Sequence, residues 1–230
     1  MRHEILGGAS FPVLEVTLGA GESVVSEAGA MAWMEGEVAI ETSTRGGVFA
    51  AIKRAALAGE TLFQNTYRAG PAGGRVALVP GQAGEIVAQS LQGELLLQRG
   101  AFLAASEGIE CSSRIEGLKG ILAQGLFVLR AVGSGTLFFS GYGSVEPVDV
   151  DGDYTIDNGY VVAWEPGLAY RLTAARRVRS FLFSDQVLVG FSGRGRLWVA
   201  SRSPHSLADW VYPFRRVRSK KAGLEVGGDD

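Results

Sequence analysis

Three stretches of the chain align with one another without gaps, and this repeat limits what the chain can fold into more than any other feature. They are GESVVSEAGAMAWMEG at 21–36, GELLLQRGAFLAASEG at 93–108 and GDYTIDNGYVVAWEPG at 152–167. Each opens on a glycine followed by an acid and closes on a glycine. Val25, Leu97 and Ile156 hold the fifth position, Ala28, Gly100 and Gly159 the eighth, and Ala32, Ala104 and Ala163 the twelfth. The next position reads Trp33, Ala105 and Trp164. A glycine-led apolar run follows each stretch: GGRVALVP at 73–80, GSGTLFFS at 133–140 and GRGRLWVA at 193–200. Self-similarity of this kind points to a supersecondary unit present in three copies, which share a core none could bury alone.

The unit reads as β. Glycine stands at 33 of 230 residues, about twice ordinary usage, and many glycines separate short apolar runs, as in chains built from strands and tight turns. The expected unit is a pair of short strands: acid-led turns release runs such as Glu94-Leu95-Leu96-Leu97-Gln98, Asp151-Gly152 marks an acidic hairpin, and Gly190–Trp198 (GFSGRGRLW) marks a strand-entry turn. The small residue in mid-segment suits a sharp bend or a positive φ, with Asn158-Gly159 as a turn pair. Helices are minor. One apolar face is expected within 46–63, where it caps the fold or rests on a membrane. A second helix, about 204–212, starts from Ser203 as cap and Pro204 at the first helical position, with Leu207, Trp210 and Val211 as its buried stripe. The expected organisation is one β-rich domain over 1–218, with repeats at about 1–80, 81–140 and 141–201, and a flexible tail over 219–230.

Chemistry-bearing residues are sparse. The only histidines are His3 and His205, too few for a histidine–carboxylate metal cluster or a convincing catalytic triad, and no Gly-x-Ser-x-Gly elbow occurs. Asp149, Asp151, Asp153 and Asp157 suggest a calcium loop, but Tyr154 and Tyr160 stand where that loop needs Gly and Glu, which favours a surface acidic segment. Gly190, Gly193 and Gly195 lack the order of a dinucleotide fingerprint. The single cysteine, Cys111, excludes an intrachain disulfide framework and fits a reducing cytoplasm. No secretory signal pattern opens the chain and no apolar run is long enough to span a bilayer. With a net charge of −2 there is no global pull toward nucleic acid or anionic membrane.

Two basic runs remain. Arg176, Arg177 and Arg179 form one, and Arg215, Arg216 and Arg218 the other; they are the candidate nucleic-acid contacts, although alternation with Val178 and Val217 fits a solvated face better. Trp33, Trp164 and Glu165 are the candidate ligand or partner contacts. An aromatic that recurs in two copies behaves like a packing residue, whereas Glu165, with Met34 and Ser106 at its equivalents, is the unshared member. The expected protein is therefore no enzyme, carries no cofactor, and acts as a scaffold or binding protein. An RNA- or single-strand-binding module and a small-molecule binder with a pocket between repeats are the alternatives.

The ordered series AGAMAWM (28–34), GETLFQNTYRA (59–69), GRVALVPGQAGEIVAQSL (74–91), GAFLAASEGIE (100–110), SGYGS (140–144), DNGYVVAWEPGLAYRL (157–172) and GFSGRGRLWVASRSPHSLADWV (190–211) resembles a widespread β-rich family of unassigned biochemical function. Its eukaryotic members are associated with mitochondrial biogenesis and inheritance, and its prokaryotic members are similar in fold to the tryptophan RNA-binding attenuation protein. The resemblance implies a double-stranded β-helix-like barrel or sandwich, assembled as a homotrimer; a protein partner or peripheral membrane contact is expected instead from a chain rich in packing motifs and poor in catalytic groups. Tyr160 replaces a histidine frequent in the family, and the absence of a visible presequence argues against a mitochondrial address. The family supplies no catalytic residues to carry over.

Overall fold

The computed structural model describes residues 1–43, 64–113, 128–174 and 187–215. The fold is all-β, with antiparallel strand pairing throughout the ladders and one short α-helix among the described residues. The strands are β1 (Arg2–Leu6), β2 (Val13–Leu18), β3 (Ser23–Glu27), β4 (Met31–Ser43), β5 (Gln64–Leu78), β6 (Ile86–Gln98), β7 (Phe102–Ser106) and β8 (Ile109–Ser113). They continue with β9 (Val128–Ser140), β10 (Val145–Asp157), β11 (Val161–Trp164), β12 (Leu168–Ala174) and β13 (Val187–Ala200), and the helix α1 spans Pro204–Val211. Hydrogen bonding links them in the order β1-β2-β5-β3-β7-β9-β6-β11-β13-β10, with β4, β8 and β12 attached to β5, β9 and β13.

One long strand organises each third of the chain. β9 pairs along its length with β6 on one side and with β7 then β8 on the other. β13 does the same between β10 and the succession β11, β12. β5 lies between β4 on one side and β2 with β3 on the other. Trp33 stands opposite Ala77, Ala105 opposite Leu137, and Trp164 opposite Leu197. Successive thirds are stitched by β3 on β7 and by β6 on β11.

Several expected turns are absent. Asp151-Gly152 makes no hairpin; both residues lie inside β10, and Gly190–Trp198 lies inside β13. The reason is backbone freedom at facing positions. Gly152 (φ 115°) sits opposite Gly193 (φ 116°), so two strands bend together while the ladder continues through them. An L-side chain at either position would resist that bend, which is why glycine clusters there resemble turns in the sequence. Asn158-Gly159 does turn, as part of a 3₁₀ turn over Asn158–Tyr160 in which the Asp157 carboxylate accepts from the Gly159 N–H at 2.8 Å.

The core divides into three clusters, and the central strands are buried on both faces. Phe138 packs with Leu14, Val16, Tyr67 and Leu78, while its neighbour Phe139 packs with Leu97, Phe102, Leu137 and Trp198. Leu197 joins the third cluster with Trp164, Val189 and Phe191. Because adjacent residues in a strand point to opposite faces, the uninterrupted run Leu137-Phe138-Phe139 serves two cores at once.

The C-terminal helix begins where expected, after Ser203 and with Pro204 at its start, but Leu207, Trp210 and Val211 do not form a buried stripe. All three are exposed, and no residue of α1 is buried. The apolar spacing predicts a core face, yet no residue of α1 joins any of the three core clusters. The segment 46–63 and the tail 219–230 lie outside the described residues.

Candidate functional site

Trp33 and Trp164 occupy matching places in the register but opposite environments. Trp164 is wholly buried, its ring edge-on to Tyr170 at 5.2 Å and to Phe191 at 5.5 Å. β11 is flanked by both β13 and β6, which closes it from solvent on each side. The indole Nε1 of Trp164 meets no acceptor among the described residues. Trp33 is 47% exposed, and among the described residues β4 pairs only with β5. Along that outer edge Met34 and Ile40 are exposed as well. A strand of this length with free edge groups and apolar side chains is a template for pairing with another chain.

Glu165 is the first residue after β11 and serves a local role. Its carboxylate accepts from the Arg196 N–H at 2.8 Å, while its own N–H donates to the Arg196 carbonyl at 2.9 Å. The Leu168 N–H returns to the Glu165 carbonyl at 3.1 Å, which holds the turn between β11 and β12. Beside it, Asp149 accepts from Arg196 Nε at 2.8 Å and Asp151 from Arg194 at 2.7 Å. These are cross-strand partners on β10 and β13, so two acids of that segment face arginines, while Asp153 stands opposite Ser192 and Asp157 opposite Leu188. The hydrogen bond and charge of Arg196 hold the Asp149 carboxyl below its usual range, and Asp149 in turn raises the Arg196 guanidinium. A shallow depression of about 390 Å³ lies over this cluster.

A second concavity, about 340 Å³, gathers residues from all three thirds of the chain: Glu27, Gln82, Gln98, Ser140, Tyr142 and Gly159 form much of its wall. Neither Trp33 nor Trp164 lines it. The polar wall residues are scattered singly through the sequence, so no spacing advertised them.

Of the candidate nucleic-acid contacts, Arg176, Arg177, Arg179, Arg216 and Arg218 lie outside the described residues. Arg215 is placed, exposed, with its guanidinium 3.6 Å over the Tyr212 ring. Arg68, Arg75 and Arg130 each face a carboxylate: Glu107, Glu15 and Glu35, and Glu94 respectively. Among the described residues no helix is long and apolar enough to cross a membrane.

Comparison with known proteins places this architecture. An X-ray crystal structure of a Streptococcus pyogenes protein superposes with a TM-score of 0.79 at 30% sequence identity, over 93% of this chain and 99% of that one. An uncharacterized protein of Streptococcus pyogenes serotype M6 is 32% identical, over 87% of this chain and 86% of its own length. Both relatives are prokaryotic and neither brings an assigned activity. The profile described as "Mitochondrial biogenesis AIM24" matches residues 3–202, a span that runs from β1 to just before α1. The chain is therefore a member of the mitochondrial biogenesis AIM24 family.

Proposed function

We propose that the protein is a non-enzymatic, cytoplasmic scaffold that works as a homo-oligomer, with a trimer as the favoured assembly. The observation that carries this is the outer edge of β4, which has no strand partner among the described residues and exposes Trp33, Met34 and Ile40. Its counterparts in the register, β7 and β11, are buried and paired on both sides. On the other side of the chain β10 bonds only β13 among the described residues, so its outer edge has no described partner either. Among the described residues, β4 and β10 are thus left with outer edges equivalent to those by which the chain joins its own thirds, β3 on β7 and β6 on β11. Pairing β10 of one copy with β4 of the next would complete the series of three units in a double-stranded β-helix-like assembly. The many carboxylate–arginine pairs on the strand faces support a structural use of charge rather than acid–base chemistry.

Native mass spectrometry and light scattering test the reading. The parent chain is expected as a trimer, and Met34→Lys with Ile40→Lys, both at exposed positions, is expected to shift it to a monomer that keeps the parent's β-sheet circular dichroism. A parent that stays monomeric, or a charged variant that stays fully assembled, removes the proposal. A reproducible hydrolase or transferase activity lost on mutating one carboxylate would overturn its non-enzymatic part.

A further inference from the structure

Four strands end on the concavity of about 340 Å³, and a fifth begins there. β3 ends at Glu27, β6 at Gln98, β9 at Ser140 and β13 at Ala200, while β11 starts at Val161, and all five residues line the space. Its volume lies at the small end of the range for small-molecule sites, about 300–1,000 Å³. Backbone hydrogen bonds hold the rim. The Gly141 N–H donates to the Glu85 carbonyl at 3.3 Å, the Glu85 N–H to the Gly143 carbonyl at 2.8 Å, and the Arg202 N–H to the Tyr142 carbonyl at 3.1 Å. A wall fixed before a ligand arrives loses little freedom on binding.

The wall mixes carbon surface with polar groups, and the polar groups are biased toward acceptors. Val161 and Val162, each 2% exposed, supply carbon surface together with Ala200 and Pro204. Glu27 is the one charged side chain on the wall among the described residues, and a carboxylate offers about four acceptor sites. Gln98 donates its Nε2 to the Asn158 carbonyl at 3.4 Å, which leaves its Oε1 as an acceptor. Asn158, next to Gly159 of the wall, is 8% exposed, and its Oδ1 meets no donor among the described residues. A buried acceptor left without a donor is destabilising, so it marks a place where a donor is wanted.

We propose that this concavity binds a small organic amine: Glu27 and the Gln98 Oε1 accept from its ammonium group, and Val161, Val162 and Pro204 cover its carbon body. An anion of the same size would meet the Glu27 charge with no described Lys, Arg or His on the wall to offset it. A neutral alcohol brings one donor where an ammonium brings three. No residue of β4 or β10 lines the concavity, so the site stands apart from the oligomer proposed above.

The test is isothermal titration calorimetry of the full chain with 2-phenylethylamine and hexylamine. 2-Phenylethanol and hexanoate keep the same bodies and change the head group. Each amine is expected to bind at least about tenfold more tightly than its counterpart. Glu27→Gln keeps the shape, removes the charge and should weaken both amines by about tenfold or more. Gly100 also lines the space, and a Cβ placed on it meets no atom within 4 Å. Gly100→Trp should therefore block the concavity and weaken the amines at least as much, while the circular dichroism and thermal midpoint stay those of the parent. Met34→Lys with Ile40→Lys should bind the amines as the parent does. No amine binding up to about 10 mM, equal or tighter binding of the alcohol or the carboxylate, or undiminished binding by the Glu27 or Gly100 variant overturns the proposal. Loss of amine binding in the Met34 and Ile40 variant places the site at the β4 edge and overturns it as well.

Discussion

Trp164→Ala separates a packing residue from a ligand contact. The side chain is fully buried between Tyr170 and Phe191 in the third core cluster. Truncating a buried aromatic of this size costs about 3–5 kcal/mol. One feature works the other way: the indole N–H has no acceptor among the described residues, and removing an unpartnered buried donor relieves about 1–3 kcal/mol. The net expectation is about 2 kcal/mol, which for a chain of this size lowers the thermal midpoint by roughly 4–8 °C. Two companions sharpen the measurement. Trp164→Phe keeps most of the ring and deletes the N–H, so it should cost about 1 kcal/mol or less. Trp33→Ala, at a half-exposed edge position, should also stay within about 1 kcal/mol. Thermal and urea unfolding followed by circular dichroism read all three, under conditions that hold the oligomeric state fixed. The reasoning fails if Trp164→Ala unfolds within about 2 °C of the parent, or if Trp33→Ala proves as costly as Trp164→Ala.

Two further predictions follow from the bent ladder and its charges. Gly193→Ala should cost more than Gly152→Ala: both share a positive φ worth about 1–3 kcal/mol of strain, but only at Gly193 would the new Cβ meet the Gly167 carbonyl, at 2.6 Å. Urea midpoints of the two variants decide it, and equal costs would show that the contact yields. Asp149 is held below its ordinary pKa by Arg196, so its contribution is present above about pH 4 and is lost as pH falls through the depressed value. Asp149→Asn should therefore flatten the acid limb of a melting-temperature profile, by a small amount because the pair is exposed. An unchanged limb would mean that the pair adds no stability.

The all-β class and the family were legible in the sequence because both are carried by local pattern. Glycine-punctuated apolar runs exclude a helical bundle, and the ordered motifs from Ala28 to Val211 identify the relatives. The alignment that put Trp33, Ala105 and Trp164 at one position also proved consistent with where the register sets them, opposite Ala77, Leu137 and Leu197. Strand length was not legible. Gly152 and Gly193 carry the composition of a turn, and only their placement opposite each other turns two breaks into one continuous bend. The sites depended still more on neighbours far away in the chain. Glu165 gives no sequence sign that its carboxylate will meet the Arg196 N–H, and the concavity walled by Glu27, Gln98 and Tyr142 draws on separate strands.

Sequence alone thus determined which residues are apolar, where the backbone is free to bend, and which family the chain joins. Tertiary structure decided which apolar residues are covered. Trp33 and Trp164 share a repeat position, and Leu207 and Trp210 share a helical spacing, but burial is a property of the partner surface. β11 has strands on both sides and closes over Trp164; among the described residues β4 has one on a single side and α1 has none, and Trp33 and Trp210 are exposed. Periodicity states that a face is apolar, and only the packed chain states whether anything within it is left to cover that face.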